Sequence, residues 1–197
     1  MAIVNRGVSL AVSPWLLPRM DFSTGIPPSA RTLVVVPTML LSPENSEILV
    51  EDLEVRFLAN RGDSLHFALL TDLRDADQES LPEDATLVRL AAAGIEALNL
   101  KHRDQRRRNE DIFFLFHRGR RWNAQEGVFM GHERKRGKLE DLNHLLRHQG
   151  PEAEERFSLI VGDIAFLAEL TYVNRHITDT SLPRDGAQQL AGAMAHP

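Results

Sequence analysis

The sequence predicts an α/β fold built on a doubly wound, mostly parallel sheet. Short apolar runs alternate along the chain with segments whose apolar residues keep helical spacing, and the connections between them are short. A length of 197 residues, with 43% hydrophobic and 26% charged residues, suits a folded domain with a sizeable core. Because the chain has no cysteine, disulfides and thiolate metal sites are excluded.

The first strand is predicted at residues 33–36, a run of leucine and valine that Pro37 should end. A loop over residues 20–30 leads into it. A helix should follow, with Ser42 as its cap and Pro43 in its first turn, and it should end before Gly62.

The rest of the chain continues the alternation of strands and helices. Strands are predicted at residues 65–72, 112–117, 157–161 and 172–177, and helices at residues 85–101, 138–148 and 184–195. In such a sheet, ligands bind beyond the carboxyl ends of the strands. Pro37, Thr38 and Asp72 should lie there, and Asp72 would suit a nucleotide base or ribose. The alternative for Asp72 is a turn or helix-cap role.

Positive charge is concentrated in the middle of the chain. Residues 101–138 contain 12 Lys/Arg against 5 Asp/Glu, although the whole chain has a net charge of -5. This surplus indicates either a local anionic ligand or a solvated basic face. Within it, Arg136 and Lys138 flank Gly137 at the predicted start of a helix, which is an arrangement suited to a diphosphate. A solvated basic turn is the alternative.

Nucleic acid and a divalent metal are two further classes of partner that the residues bear on. Nucleic acid is not expected, because Phe113, Phe114 and Phe116 fall in an apolar run that should be core rather than a stacking surface. Asp179 follows the last predicted strand and could hold a divalent metal that bridges phosphates, or could serve only in a turn. The apolar stretch at residues 3–17 is too short and too polar to span a bilayer.

Three long stretches carry a resemblance to a known family. They are LLPRMDFSTGIPPSARTLVVVPTML at residues 16–40, RWNAQEGVFMGHERKRGKLEDLN at residues 121–143, and TDTSLPRD at residues 178–185, which continues to the end of the chain. Together they resemble the glucosyltransferase domain of cyclic β-1,2-glucan synthases (glycosyltransferase family eighty-four). The resemblance covers essentially the whole chain.

The resemblance implies a GT-A-type, Rossmann-like fold that uses UDP-glucose with Mg²⁺ or Mn²⁺. Residues 1–30 would be a membrane-proximal entry segment, and residues 31–197 the donor-binding half of the domain. Pro37, Thr38 and Asp72 would line the uridine pocket, and Lys138 with neighbours such as Arg136 would contact the diphosphate. The whole enzyme would act on the cytoplasmic side of the bacterial inner membrane. This chain would be a fragment truncated at its C-terminus and without turnover of its own.

The chain departs from the family pattern at the implied metal site. Asp179 would be the second carboxylate of an Asp-x-Asp motif, but Ile177 occupies the first position. A single carboxylate holds Mg²⁺ or Mn²⁺ poorly, so metal binding is in doubt. The alternative function is therefore a non-catalytic nucleotide-binding or phosphate-binding module on the same scaffold.

Overall fold

The computed structural model of the chain describes residues 20–22, 24–105, 110–148, 150–175 and 186–194. Its strands are β1 (Thr32–Leu40), β2 (Leu65–Leu73), β3 (Phe113–His117), β4 (Arg121–Asn123), β5 (Val128–Met130), β6 (Leu159–Val161) and β7 (Tyr172–Arg175). Its helices are α1 (Pro43–Ala59), α2 (Asp84–Lys101), α3 (Arg134–His148), α4 (Pro151–Glu154) and α5 (Gly186–Met194).

Five strands form the central sheet in the order β6-β3-β2-β1-β7. β7, β1, β2 and β3 are mutually parallel, and β6 pairs antiparallel with β3 at one edge. The predicted fold class, a mostly parallel α/β sheet of Rossmann-like form, is confirmed. Since β2 and β3 extend the sheet on one side of β1 and β7 on the other, the strand order reverses at β1. Ligands in open α/β sheets bind beside such a reversal.

Both faces of the sheet are buried, which explains the continuous apolar runs. Alternate residues of a strand point to opposite faces. Val34 and Val36 therefore join the core under α1 and α2, whereas Leu33 and Val35 join the core under α3. The three phenylalanines of β3 are divided in the same way, and all are fully buried, as the sequence predicted.

The first strand was predicted too short, because Pro37 does not end it. β1 continues to Leu40, and Pro37 lies opposite Leu70 of β2. Within the described residues, β7 pairs only with Thr32–Val35. Beyond Val35, β1 therefore has an open side, where a proline without an N–H group is tolerated.

Helix α1 begins and ends as predicted, at Pro43 and Ala59. Its start is capped by the Ser42 hydroxyl, which accepts a hydrogen bond from the Asn45 N–H at 3.1 Å. The start of α3 was predicted wrongly. The helix begins at Arg134, about one turn before Lys138. At this start, Glu133 and Arg134 have positive φ values of 49° and 46°. In the portion of the chain that is described, no helix is both long and apolar enough for a membrane crossing.

The hairpin β4–β5 was not predicted. It is a two-stranded sheet of its own, and a bridge between Ala76 and Phe129 attaches it to the segment after β2. Strand β6 is shorter than expected, and so is β7 as far as it is described. Residues 176–185, which hold the end of the predicted last strand and Asp179, lie outside the described residues.

Candidate functional site

A cleft of about 350 Å³ opens at the carboxyl edge of the sheet. The ends of β1 and β2 form one wall, and the first turns of α3 form the other. Four of the residues singled out in the sequence line this cleft, namely Pro37, Thr38, Asp72 and Lys138. They meet there because the parallel register sets Thr38 opposite Thr71 and so brings the two strand ends together.

A buried ion pair lies at the base of the cleft. The Lys138 Nζ is 2.9 Å from Asp72 Oδ2, and each side chain is 5% exposed. The same ammonium donates a hydrogen bond of 2.7 Å to the Thr38 carbonyl oxygen. Burial lowers the pKa of Lys138, and the charges of Arg118 and Lys135 act in the same direction, while Asp72 opposes them. The lysine thus links α3 to the ends of both β1 and β2.

Arg118, which the sequence analysis did not identify, is the central cation of the site. Its Nε lies 2.9 Å from Asp72 Oδ1 and its Nη2 lies 3.2 Å from Oδ2, so the guanidinium holds both carboxylate oxygens. Its Nη1 donates to Asp141 Oδ2 at 2.6 Å. Burial opposes the charge on Arg118, but hydrogen bonds and charges from Asp72 and Asp141 raise its pKa. The Arg118 guanidinium therefore fixes the orientation of the Asp72 carboxylate.

Arg118 also fastens the turn that precedes α3. Its Nη2 donates to the carbonyl oxygens of His132 and Arg134, at 3.1 and 3.2 Å. In the same turn, a Cβ on Gly131 would lie 2.6 Å from Asp72 Oδ2. Only a residue without a side chain allows the turn to approach the carboxylate so closely.

Cations outnumber carboxylates among the residues that line the cleft. The three cations are Arg134, Lys135 and Lys138, and the two carboxylates are Asp72 and Asp75. At the rim, Arg134 is 2.9 Å from Asp75 and 62% exposed. The lining thus carries one positive charge more than negative, which favours an anionic ligand.

Two other predicted site residues are not brought into the cleft by the described structure. Arg136 is 79% exposed and pairs with Glu140 at 2.8 Å on the outer surface of α3. Asp179 and Ile177 lie outside the described residues, so the metal site stays a prediction. Among the residues that are described, no group of three His, Cys, Asp or Glu side chains is placed to hold a metal ion.

A buried histidine lies on β3 beside the strand that carries Asp72. His117, the last residue of β3, is 2% exposed, and its Nδ1 lies 2.8 Å from the Thr71 hydroxyl. Burial lowers the pKa of His117 to about 4, although Asp72 and Asp84 act to raise it. The imidazole is therefore neutral near pH 7 and acts as a hydrogen-bonding partner rather than as another cation.

The fold and the cleft define the class of protein: an α/β, Rossmann-like domain with a cationic cleft at the carboxyl edge of its sheet. No family model matches the chain. Over its whole length, the chain is 38% identical to part of the cyclic β-(1,2)-glucan synthase NdvB of Rhizobium meliloti (strain 1021). It spans 7% of the length of that protein. The chain is thus related to a segment of a cyclic β-(1,2)-glucan synthase, which confirms the resemblance carried by its motifs.

Proposed function

We propose that this chain forms the donor-binding part of a UDP-glucose-dependent glucosyltransferase that makes cyclic β-1,2-glucan. The observation that carries the proposal is the buried Asp72–Lys138 pair in a cationic cleft at the carboxyl edge of the sheet. The 38% identity to a cyclic β-(1,2)-glucan synthase supports the choice of glucan. A GT-A-type fold, and a place on the cytoplasmic side of the inner membrane beside the rest of a synthase, belong to the same proposal.

In this proposal the uridine lies against Pro37, Thr38 and Asp72. An ionised carboxylate accepts up to about four hydrogen bonds, two on each oxygen. Arg118 occupies a position on both oxygens and Lys138 one on Oδ2, which leaves Oδ1 with capacity for a donor from the base or the ribose. The task of Arg118 is to hold the Asp72 carboxylate in one orientation before the ligand arrives.

The diphosphate would lie against Lys138. A lysine ammonium has three N–H donors. Asp72 Oδ2 and the Thr38 carbonyl take two of those of Lys138, and the third remains for a phosphate oxygen. The exposed cations Arg134 and Lys135 at the rim would add to the attraction.

The two residues expected to hold a divalent metal, Asp179 and Ile177, provide only one carboxylate ligand. Mg²⁺ requires several oxygen ligands in octahedral geometry. Asp179 supplies one carboxylate, whereas Ile177 has no side-chain atom that can bind a metal. A metal bound there would neutralise charge on the diphosphate.

The absence of a carboxylate at position 177 favours a second candidate, a non-catalytic module that binds a nucleotide or phosphate on this scaffold. The observation for it is Ile177 in place of the carboxylate that the family resemblance implies. Calorimetry with UDP-glucose, in the presence and absence of Mn²⁺, separates the two. Metal-dependent binding supports the transferase, and metal-independent binding supports the module.

The diphosphate assignment is tested by comparing Lys138→Met with the exposed control Arg136→Met. Loss of a hydrogen bond to a charged group costs about 1.5–3 kcal/mol. Lys138→Met should therefore weaken UDP by about tenfold or more and leave uridine nearly unchanged, while Arg136→Met should change neither. The measurement is isothermal titration calorimetry, with circular dichroism to show that each variant is folded. Equal losses for UDP and uridine would remove Lys138 from the diphosphate site.

The uridine assignment is tested by Asp72→Asn, which keeps the shape of the side chain and removes its charge. Because Asp72 is assigned to the nucleoside, uridine and UDP should weaken by similar amounts, about 1–3 kcal/mol each. The same titrations measure the effect. Undiminished affinity for uridine in a folded Asp72→Asn protein would contradict the assignment.

A further inference from the structure

Helix α3 carries a histidine pair that the proposed donor site does not use. His144 and His148 are separated by one helical turn, so their side chains are neighbours on one face of the helix. Their ring centroids are 4.6 Å apart, with 43° between the ring planes. His144 is half-buried and His148 is exposed, so the pair can be reached from solvent.

The spacing of the two rings suits a shared metal ion. Zinc–imidazole nitrogen distances are about 2.0–2.1 Å, and two nitrogens on one tetrahedral ion are about 3.3 Å apart. A centroid separation of 4.6 Å is compatible with one nitrogen of each ring at that distance. Two histidines at this spacing on a helix are a recurrent zinc-binding arrangement.

The ring of His144 has unused hydrogen-bonding capacity. Its Nδ1 is buried and has no hydrogen-bond partner within the part of the chain that the structure describes. A buried polar atom that lacks a partner is costly, and a bound ligand removes that cost when the ring presents the atom to it. The simplest alternative is that both histidines only interact with the C-terminal dipole of α3, because they lie in its last two turns.

We propose that His144 and His148 bind a divalent transition metal as a two-histidine chelate, completed by water. Imidazole selects Zn²⁺, Ni²⁺ and Cu²⁺, whereas Mg²⁺ and Mn²⁺ prefer oxygen ligands. This site is therefore chemically distinct from the carboxylate site expected at Asp179. A metal here bridges successive turns of α3, the helix that carries Lys138 and Asp141.

The experiment titrates ZnCl₂ into the full chain and into His144→Gln, His148→Gln and the double variant. The matched control is His132→Gln, which removes an exposed histidine just before the same helix. Wild type and the control should bind one Zn²⁺ equally at this site. Each single variant should lose at least about tenfold in affinity, since even changes to the groups supporting a metal ligand cost 10–100-fold.

Thermal unfolding gives a second measure. Because a metal that binds only the folded helix stabilises it, saturating Zn²⁺ should raise the Tm of wild type and of His132→Gln, but not that of the double variant. Ni²⁺ and Cu²⁺ should act in the same way, whereas Mg²⁺ at the same concentration should not. Zinc affinity and Tm shifts that persist in the double variant would overturn the proposal.

Discussion

At the amino edge of the sheet, Arg31 is buried and paired with Glu110 at 2.6 Å, and Asn99 holds both backbone groups of Phe113. At the carboxyl edge, Arg118 and Lys138 are equally buried, but they share one carboxylate, Asp72. At the amino edge, polar side chains thus bond to backbone and side-chain groups at the starts of the strands. The carboxyl edge instead places two buried cations on one carboxylate beside an open cleft.

The comparison shows that a buried charge is not by itself a sign of function. Both edges bury a cation and a neutral histidine, and each has a cavity, of about 180 Å³ at the amino edge and about 350 Å³ at the carboxyl edge. What distinguishes the carboxyl edge is that its buried ion pair, Asp72–Lys138, lines the larger of the two cavities, together with the exposed cations Arg134 and Lys135 at the rim. Three experiments test the distinction.

The largest expected effect is on stability, from Asp72→Ala. The substitution leaves Arg118 and Lys138 buried beside an empty position, and breaking a buried ion pair from one side costs about 3–5 kcal/mol. The amino-edge counterpart, Asn99→Ala, loses hydrogen bonds from a neutral side chain and should cost about 1–3 kcal/mol. Urea denaturation measures both free energies of unfolding. A larger loss of unfolding free energy in Asn99→Ala than in Asp72→Ala would contradict the greater energetic importance of the Asp72 ion pairs.

The next effect is a dependence of stability on pH, to which both edges contribute. Burial lowers the pKa values of His66 and His117 to about 4, from an ordinary 6.5. The unfolded chain therefore takes up these protons at higher pH than the folded chain does. Stability should be intact above pH 6.5 and fall as the pH drops towards 4, by about 3 kcal/mol for each histidine.

Single substitutions divide this pH dependence between the two edges. His66→Asn and His117→Asn should each remove about half of it, measured by urea denaturation across the same pH range. Only His117→Asn should also alter UDP affinity, because His117 contacts Thr71, the neighbour of Asp72 in β2, and interacts electrostatically with Asp72 and Lys138. A full pH dependence in the double variant would show that carboxylates, rather than these histidines, cause it.

The smallest effect comes from adding one methyl group at each edge. In Gly131→Ala the new Cβ meets Asp72 Oδ2 at 2.6 Å, so the turn or the carboxylate must move. Overpacking of this kind costs about 1–3 kcal/mol, and UDP should bind more weakly. In Gly62→Ala the nearest atom is Leu65 Cδ1 at 3.5 Å, an ordinary contact, and stability should change by less than about 0.5 kcal/mol. Thermal unfolding and calorimetry with UDP report both, and equal behaviour of the two variants would contradict a tight fit at Gly131.

The sequence was informative wherever a local pattern determines the structure. Apolar runs predicted the strands, and Asp72 could be assigned to the cleft because it falls at the end of one. Arg118 could not be found in this way. It faces Asp72 only because β3 pairs with β2 in the register that sets His117 opposite Thr71, and register between parallel strands cannot be read from either strand alone.

Other misses had different causes. The early start of α3 depends on positive φ values at Glu133 and Arg134, which are not the residue types that signal such a turn. The β4–β5 hairpin has only three residues in each strand, too few for a clear alternation of polar and apolar side chains. The four-residue spacing of His144 and His148 is visible in the sequence, but the separation of their rings needed the structure.

The position of β7 beside β1 has a consequence for how the chain is made. β1, β2 and β3 pair with one another within residues 32–117, whereas the partner of Thr32–Val35 on the other side is Tyr172–Arg175. At about 5–20 residues per second, translation reaches that partner on the order of ten seconds after β1. During this interval a nascent chain carries an apolar strand with an unpaired edge, a surface that recruits strands from other molecules. The yield of folded protein should therefore depend on how well that edge is protected on the ribosome.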